Sequence, residues 1–152
     1  MTQGDAYSKE GMLDHAGIAA RIPHQGTMCL LDRVTQWDEH RIECAATSHR
    51  APDNPLRRNG RLGAALGIEY AAQAMAVHGA LLADGHTAPK KGMITRVQRI
   101  ALHAERLDDC TEKLTVRAER IMGDARVVRY GFEVYCGHHL LLEGEASVIL
   151  DA

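Results

Sequence analysis

The chain has 152 residues, of which 45% are hydrophobic and 25% are charged, as is ordinary for a globular domain. A net charge of -2 excludes the strong general attraction to phosphates that basic nucleic-acid-binding proteins show, and an aromatic content of 4% argues against a base-stacking surface. This length is enough for one domain with a sizeable core. We therefore predict disorder at residues 1–11 and a single domain at residues 12–152.

The first half of the chain contains two predicted helices and two predicted strands. In the second strand apolar and polar side chains alternate, as they do in a half-buried strand. The loop before the long helix is rich in Pro, Asn and Gly, which favour turns. In chain order, the predicted bounds are 12–21 for the short helix, 28–34 and 41–47 for the strands, 48–63 for the loop and 64–82 for the long helix.

The second half contains four predicted strands. Gly123-Asp124 is predicted to join the second and third in a two-residue hairpin, and Gly137-His138 to join the third and fourth. One helix cannot cover six antiparallel strands unless the sheet curls around it. We therefore predict an α+β hot-dog fold, with a curved antiparallel sheet of about five to six strands around a long central helix. The bounds of these four strands are 92–103, 113–122, 125–136 and 140–150.

Glu69 is the one acidic residue of the long predicted helix, which is otherwise uncharged. Such a helix is expected to be buried on nearly every side, where a carboxylate is costly unless it is paired, protonated or catalytic. Alternatively, Glu69 lies on a single wet face or in the first turn, where the helix dipole favours it. The run is long enough for a membrane span, but Glu69, Gln73 and His78 argue against one, so a buried core helix is predicted.

The chain start and the cysteines indicate a reducing compartment. The first ten residues are polar and contain no apolar signal segment. The four cysteines form no C-x-x-C pair, and most fall in strand-like runs, where a free thiol behaves as a small hydrophobe. The chain is therefore predicted to be cytoplasmic. The cysteines are Cys29, Cys44, Cys110 and Cys136.

Two segments carry a resemblance to a known family. Residues 22–34, Ile-Pro-His-Gln-Gly-Thr-Met-Cys-Leu-Leu-Asp-Arg-Val, resemble the LPHR-P-LLxDRV segment of 3-hydroxyacyl-[acyl carrier protein] dehydratases. Residues 67–73, Gly-Ile-Glu-Tyr-Ala-Ala-Gln, resemble the LxxEAxAQ segment on their central helix, with Glu69 and Gln73 at matching places. The resemblance implies removal of water from a 3-hydroxyacyl thioester to give a trans-2-enoyl thioester, in a tunnel at a hot-dog dimer interface.

The resemblance also implies roles for residues near the start of the long helix. The reaction requires a base for the α-proton, an acid for the departing hydroxyl and polarisation of the thioester carbonyl. Glu69 is expected to act on the hydroxyl and the released water, and Gln73, one turn later, to orient that carboxylate or a water. Backbone N–H groups between Gly63 and Gly67 are expected to face the carbonyl oxygen.

The loop before the helix departs from the family pattern. Family members carry a catalytic His there in a GHFPxxPxxPG segment, whereas residues 54–63 of this chain are shorter and contain no His. In this respect the chain resembles the divergent dehydratase-like proteins of aryl-polyene and related pathways. His49, at the start of the same loop, is the leading substitute base, and His24 is the second. The alternatives are a solvated loop His at 49 and a structural His at 24.

Arg57, Arg58 and Arg61 form a basic cluster in this loop. They are candidates for docking an acyl carrier protein or the phosphate of its phosphopantetheine arm, and the alternative is ordinary solvated charge. No metal or cofactor is predicted. A homodimer, a higher oligomer or a heteromeric hot-dog complex is expected. Two other functions stay open: an acyl thioesterase, and a non-catalytic acyl-binding subunit that pairs with an active partner.

Overall fold

The computed structural model describes residues 12–83, 92–124 and 126–150, so the predicted disordered segment 1–11 lies outside the described residues. Two α-helices and six β-strands are present in the described part of the chain. Their bounds are α1 His15–Ala19, β1 Arg33–Trp37, β2 Arg41–Ala46, α2 Gly67–Leu82, β3 Gly92–Leu102, β4 Leu114–Gly123, β5 Val127–Cys136 and β6 His139–Leu150.

The six strands form one antiparallel sheet in the order β1-β2-β4-β5-β6-β3. α2 packs against the central strands β2, β4 and β5. Alternation along β4 and β5 decides which side chains meet the helix, since Val116, Ala118 and Val134 are buried while Arg117 points to the opposite face. The predicted α+β hot-dog fold is confirmed. Among the described residues, no helix is both long enough and apolar enough to cross a membrane.

The predicted strand at residues 28–34 is wrong in its first part. Gly26–Met28 is a turn of 3-10 helix, and β1 begins only at Arg33. The reason is a contact from the long helix: the Gln73 side chain occupies the carbonyl of Met28 and the amide of Leu30. A strand would need these backbone groups for its ladder.

The two hairpin turns of the second half differ in outcome. Gly137-His138 is a two-residue turn between β5 and β6, as predicted, with Gly137 at φ 58°. The turn between β4 and β5 is not two residues long, because β4 continues through Gly123 and β5 starts at Val127. The Asp124 carboxylate accepts from the Arg126 and Val127 amides and so closes a longer turn.

Two of the four cysteines are paired, which corrects the expectation of free thiols. Cys110, in the loop before β4, is disulfide-bonded to Cys136 at the end of β5. Cys136 lies opposite Leu114, the first residue of β4, so the bond joins the end of β5 to the loop that leads into β4. Cys29 and Cys44 are free and buried, and burial raises the pKa of both thiols.

β3 is an edge strand with apolar side chains in solvent. It pairs with β6 on one side, and its other edge has no strand partner within the described chain. Met93, Val97 and Leu102 are 69%, 39% and 49% exposed. A long, apolar, unpaired edge invites pairing with another chain.

Candidate active site

Glu69 lies in the first turn of α2 and is exposed in the single chain. Of the two alternatives for Glu69, burial is therefore wrong for the single chain. The next residue, Tyr70, is fully buried, and one step along a helix turns the side chain by about 100°. Glu69 therefore points away from the sheet. The first-turn alternative is the one the chain adopts, and there the helix dipole favours the carboxylate.

The exposed face of α2 continues from Glu69 as a row of small residues. Ala72, Ala76 and Ala80 follow Glu69 at helical spacing, and all three are half-buried. The strands of the sheet pack on the other side of the helix. The carboxylate thus stands at one end of a narrow, mostly apolar and open strip.

Gln73 is fully buried and both ends of its side-chain amide are occupied. Its Oε1 accepts from the Leu30 amide at 2.8 Å, and its Nε2 donates to the Met28 carbonyl at 2.7 Å. These bonds tie the segment before β1 to α2. Gln73 therefore positions the chain around the site, and its amide makes no contact with Glu69.

The amides near the start of α2 are largely used within the protein. The Ala64 amide donates to the Glu105 carbonyl, and the Leu66 amide donates to the Gly63 carbonyl. The Gly67 amide donates to carbonyls of the preceding 3-10 turn, Ala64–Leu66. These three N–H groups are therefore not free to polarise a substrate carbonyl.

The two glycines predicted to bind substrate differ in their surroundings. A Cβ added to Gly67 would lie 2.5 Å from Leu142 Cδ2, so Gly67 allows α2 to pack closely on β6. A Cβ added to Gly63 would meet nothing within 4 Å. Of the two, only Gly63 therefore borders open space, and a role for it in substrate binding stays a prediction.

His49 is fully buried in a short 3-10 turn, Ser48–Arg50. Its Nε2 lies 3.1 Å from the Cys110 carbonyl oxygen and must carry the proton, because a carbonyl can only accept. Its Nδ1 is buried without a hydrogen-bond partner among the described residues. Burial lowers the pKa of His49, with the carbonyls of Cys110 and Glu112 opposing that shift. His49 is thus a neutral imidazole enclosed within the chain.

A polar network that the sequence gave little reason to expect joins the His49 turn to α2. The Ser48 hydroxyl donates to the Leu30 carbonyl at 2.7 Å, so the Tyr70 hydroxyl, 2.8 Å away, donates to Ser48. Asn54 Nδ2 donates to the same Tyr70 oxygen at 3.1 Å. Burial raises the pKa of Tyr70, which keeps it protonated. A tyrosine inside an alanine-rich helix was the only sequence signal for this network.

His24 is half-buried, and its Nδ1 has no hydrogen-bond partner among the described residues. It lies just before the 3-10 turn that ends at Met28, whose carbonyl is held by Gln73. His24 is therefore on the segment fastened to α2 one turn beyond Glu69. In the described chain, neither His24 nor His49 is hydrogen-bonded to Glu69.

The three arginines of the loop have different environments. Arg57 points inward and donates to the carbonyls of Ala51, His49 and Gly60, with its side chain only 18% exposed. Arg58 and Arg61 are exposed. Only the latter two are therefore available to a partner, and Arg57 instead holds the loop together.

A buried carboxylate anchors this loop to the chain before β4. Asp108 receives two hydrogen bonds from Arg106, at 3.0 and 2.6 Å, and lies 3.4 Å from Arg57 Nη1. It also accepts from the Leu62 amide at 3.2 Å. The hydrogen bonds from Arg106 hold the pKa of Asp108 well below its usual range. Sequence reasoning missed this cluster, because Arg57 and Leu62 lie more than forty residues from Asp108 along the chain.

His78 is fully buried and follows Glu69 by nine residues, which at about 100° per residue places it on the other side of α2. Its Nε2 donates to the Asp38 carbonyl at 2.7 Å, so Nδ1 accepts from the Tyr130 hydroxyl at 2.7 Å. Burial lowers the pKa of His78 and raises the pKa of Tyr130 to about 12. The pair is a structural link from α2 to the sheet.

We expect stability to fall as the pH drops below about 6.5, the pKa of an unfolded histidine. His49 and His78 have lowered pKa values in the folded chain, so between the two pKa values the unfolded state binds more protons. Each can contribute up to about 1.4 kcal/mol per pH unit in that range. Urea unfolding at pH 7.5 and at pH 5 measures how much unfolding free energy is lost between the two pH values. This loss should be smaller in His78→Gln than in the unsubstituted chain. His40→Gln replaces an exposed histidine and should lose as much unfolding free energy as the unsubstituted chain. An equal loss in all three proteins would contradict the contribution of His78 to this pH dependence.

A groove of about 640 Å³ lies on the sheet face that points away from α2. Its lining includes Glu43, Arg117 and Gly131, and Arg117 Nε donates to Glu43 Oε1 at 3.0 Å. It contains none of the predicted site residues. Within the described ranges, no three His, Cys, Asp or Glu side chains are arranged to hold a metal ion.

Comparisons with known proteins identify the family and the fold of the chain. A family model described as ApeP-like, ApeP dehydratase, matches residues 16–151. The dehydratase heterocomplex ApeI:P from Xenorhabdus doucetiae is similar with a TM-score of 0.79 at 19% identity, over 89% of this chain and 91% of that one. A thioesterase from Haemophilus influenzae is similar with a TM-score of 0.63 at 11% identity, over 95% and 94% of the two chains. The search of the curated proteins found no match. At these identities the structural likenesses show the shared hot-dog fold.

Proposed function

We propose that this chain, which belongs to the ApeP-like dehydratase family, removes water from a 3-hydroxyacyl thioester carried by an acyl carrier protein. The observation that carries the proposal is the family match across residues 16–151. It covers the helix turn on which the chain's lone α2 carboxylate, Glu69, faces outward. The product is a trans-2-enoyl thioester, and the pathway we propose is aryl-polyene or related fatty-acid biosynthesis.

The proposed chemistry is a β-elimination. A base removes a proton from C2 of the acyl chain, and the electron pair forms the C2–C3 double bond as the hydroxyl leaves C3. Protonated Glu69 gives its proton to that hydroxyl, which departs as water. The base then passes the proton that it took from C2 to Glu69, so the protein neither gains nor loses a proton overall. Glu69 stands beside a small-residue strip that would accept an apolar acyl chain. A second subunit covering this face would desolvate the carboxyl group and so favour the protonated form that the role requires.

For the base, the structure favours His24 over His49. The His49 ring is enclosed and its Nε2 is fixed on the Cys110 carbonyl, so substrate would have to open the loop to reach it. His24 is only half-buried as a residue and lies on the segment that Gln73 fastens to α2. Its Nδ1, like that of His49, is buried without a partner among the described residues, so the two rings differ in the exposure of their other atoms. If a second subunit covers the Glu69 face, that subunit could supply the base or the residues that surround it.

We propose that the working form is a dimer or a heteromeric assembly of hot-dog chains. The free apolar edge of β3 and the open strip beside Glu69 are two surfaces that a second chain would cover. The similar protein from Xenorhabdus doucetiae is a heterocomplex. A second subunit of the same fold would turn the exposed strip into an enclosed tunnel.

Two other functions have specific support. Thioesterases share this fold, and an exposed carboxylate can activate water for hydrolysis of a thioester. A non-catalytic role in a complex is supported by the single chain itself, in which no described histidine is hydrogen-bonded to Glu69.

A product assay separates the three functions. The purified chain, alone and with the hot-dog chain that copurifies with it, is incubated with a carrier-bound 3-hydroxyacyl group and followed by mass spectrometry. Loss of one water from the carrier-bound acyl group supports the dehydratase. Release of free acid would establish a thioesterase instead. If the partner alone turns the substrate over, and adding this chain does not change the rate, this chain is a non-catalytic subunit.

A further inference from the structure

Arg58 and Arg61 face each other across a tight two-residue hairpin. The Arg58 amide donates to the Arg61 carbonyl at 2.8 Å, and the Arg61 amide donates to the Arg58 carbonyl at 2.9 Å. The central residues Asn59 and Gly60 have φ of 53° and 74°, the left-handed conformation that this turn requires. Directly paired residues of antiparallel strands project from the same face with Cβ atoms about 5 Å apart. The turn therefore places both arginine side chains on one face of the hairpin.

This arrangement is unfavourable on its own. Like charges directly opposite each other destabilise a hairpin. In the part of the chain that the structure describes, neither arginine is paired with a carboxylate, so no negative charge offsets their repulsion. Two adjacent, exposed and unpaired guanidinium groups form a site whose missing component is an anion.

The hairpin is held firmly at its base. Arg57 Nη1 donates to the Gly60 carbonyl inside the turn, and the Leu62 amide just after it donates to Asp108. Asp108 is itself fixed by Arg106, and its side chain is only 6% exposed. The two exposed arginines therefore project from a braced turn rather than from a loose loop, which lowers the entropic cost of closing both on one ligand.

We infer that Arg58 and Arg61 clamp the phosphate of the phosphopantetheine arm that carries the acyl substrate. Planar guanidinium groups bind phosphate oxygens in a bidentate manner, and the phosphodiester that joins the arm to its carrier has two unesterified oxygens that two guanidinium groups can contact. Arg61 precedes Glu69 by eight residues, so the clamp stands just before the helix turn that carries the carboxylate. Phosphate at the hairpin and thioester at Glu69 would be the two ends of one ligand. This inference rests on the proposed function and adds the group that the substrate must carry.

The test measures binding without turnover, by titration calorimetry with 4′-phosphopantetheine and with pantetheine, which lacks the phosphate. The unsubstituted chain should bind the phosphorylated probe at least about tenfold more tightly, since one charge-assisted hydrogen bond exceeds the free energy of a tenfold change. Arg58→Gln and Arg61→Gln should each lose most of this preference while binding pantetheine as before. Arg33→Gln, at an exposed arginine of β1, should keep it.

The outcomes separate this inference from the proposed function. Equal affinity of the unsubstituted chain for the two probes overturns the clamp, even if the chain proves to be an active dehydratase. A phosphate preference that depends on Arg58 and Arg61 supports the clamp, even if no enoyl product forms. As a further check, carrier protein with and without its arm is titrated. If both forms bind equally and Arg61→Gln weakens both, the arginines bind carrier carboxylates and the clamp is overturned.

Discussion

Replacing Glu69 with Gln should lower the rate of enoyl formation by about 100- to 10,000-fold, the range typical of losing a general acid. The amide keeps the size and polarity of the side chain but cannot deliver a proton to the departing hydroxyl. Initial rates with a carrier-bound 3-hydroxyacyl substrate, measured on the assembly that is active before substitution, give the comparison. The loss should appear mainly in kcat, because Gln retains most contacts made in the bound state.

Glu39→Gln is the matched control for this substitution. Glu39 is also an exposed carboxylate, with its side chain 78% exposed in the turn between β1 and β2, far from α2 along the chain. Its activity should equal that of the unsubstituted protein. Both variants should unfold at the same temperature as the parent, since neither side chain is part of the core. Undiminished turnover by Glu69→Gln would remove Glu69 from the mechanism.

Replacing Asp108 with Asn should cost about 1–3 kcal/mol of unfolding free energy, the range for a buried acceptor that loses charge-assisted hydrogen bonds. The substitution leaves the guanidinium groups of Arg57 and Arg106 together without the negative charge that both contact. Urea unfolding at pH 7 measures the change. Asp109→Asn, next to it in sequence but 72% exposed, should cost less than about 1 kcal/mol. Equal, small losses in both variants would show that Asp108 contributes no more than a surface charge.

The lowered pKa of Asp108 also predicts that the free energy of unfolding decreases at acidic pH. Its pKa is lowered in the folded chain, so its contribution is fully present above about pH 3.9, the pKa of an unfolded Asp. As the pH falls below that value the contribution is lost, and Asp108→Asn should show a flatter profile there. This range is separate from that of His49 and His78, whose effect begins near pH 6.5.

Much of the fold was predictable because it is encoded in local patterns. The alternation along β4, β5 and β6 requires one buried face, and a helix of alanine and leucine must be what that face covers. Where a distant side chain overrode local preference, prediction failed. Residues 28–31 look like a strand, but Gln73 takes the backbone bonds that a strand would need.

The site was less predictable than the fold. The lack of other charges around Glu69 suggested burial, yet composition cannot say which side of a helix the sheet covers. Its exposure follows from Tyr70, which points into the Ser48–Asn54 network and turns Glu69 outward. The sequence ranked His49 above His24 as a candidate base only because His49 begins the loop before the helix. They are separated only by three-dimensional contacts: one ring is locked on a carbonyl, and the other is left half-buried.

The bond between Cys110 and Cys136 encloses β4, β5 and the turn that joins them in a covalent ring. A single peptide cleavage anywhere between these cysteines would leave both fragments attached. The nicked protein would migrate as one band on a denaturing gel and separate into two only after reduction. The hairpin at the centre of the sheet would then survive a break in its own backbone, so the oxidised chain tolerates damage there that the reduced chain does not.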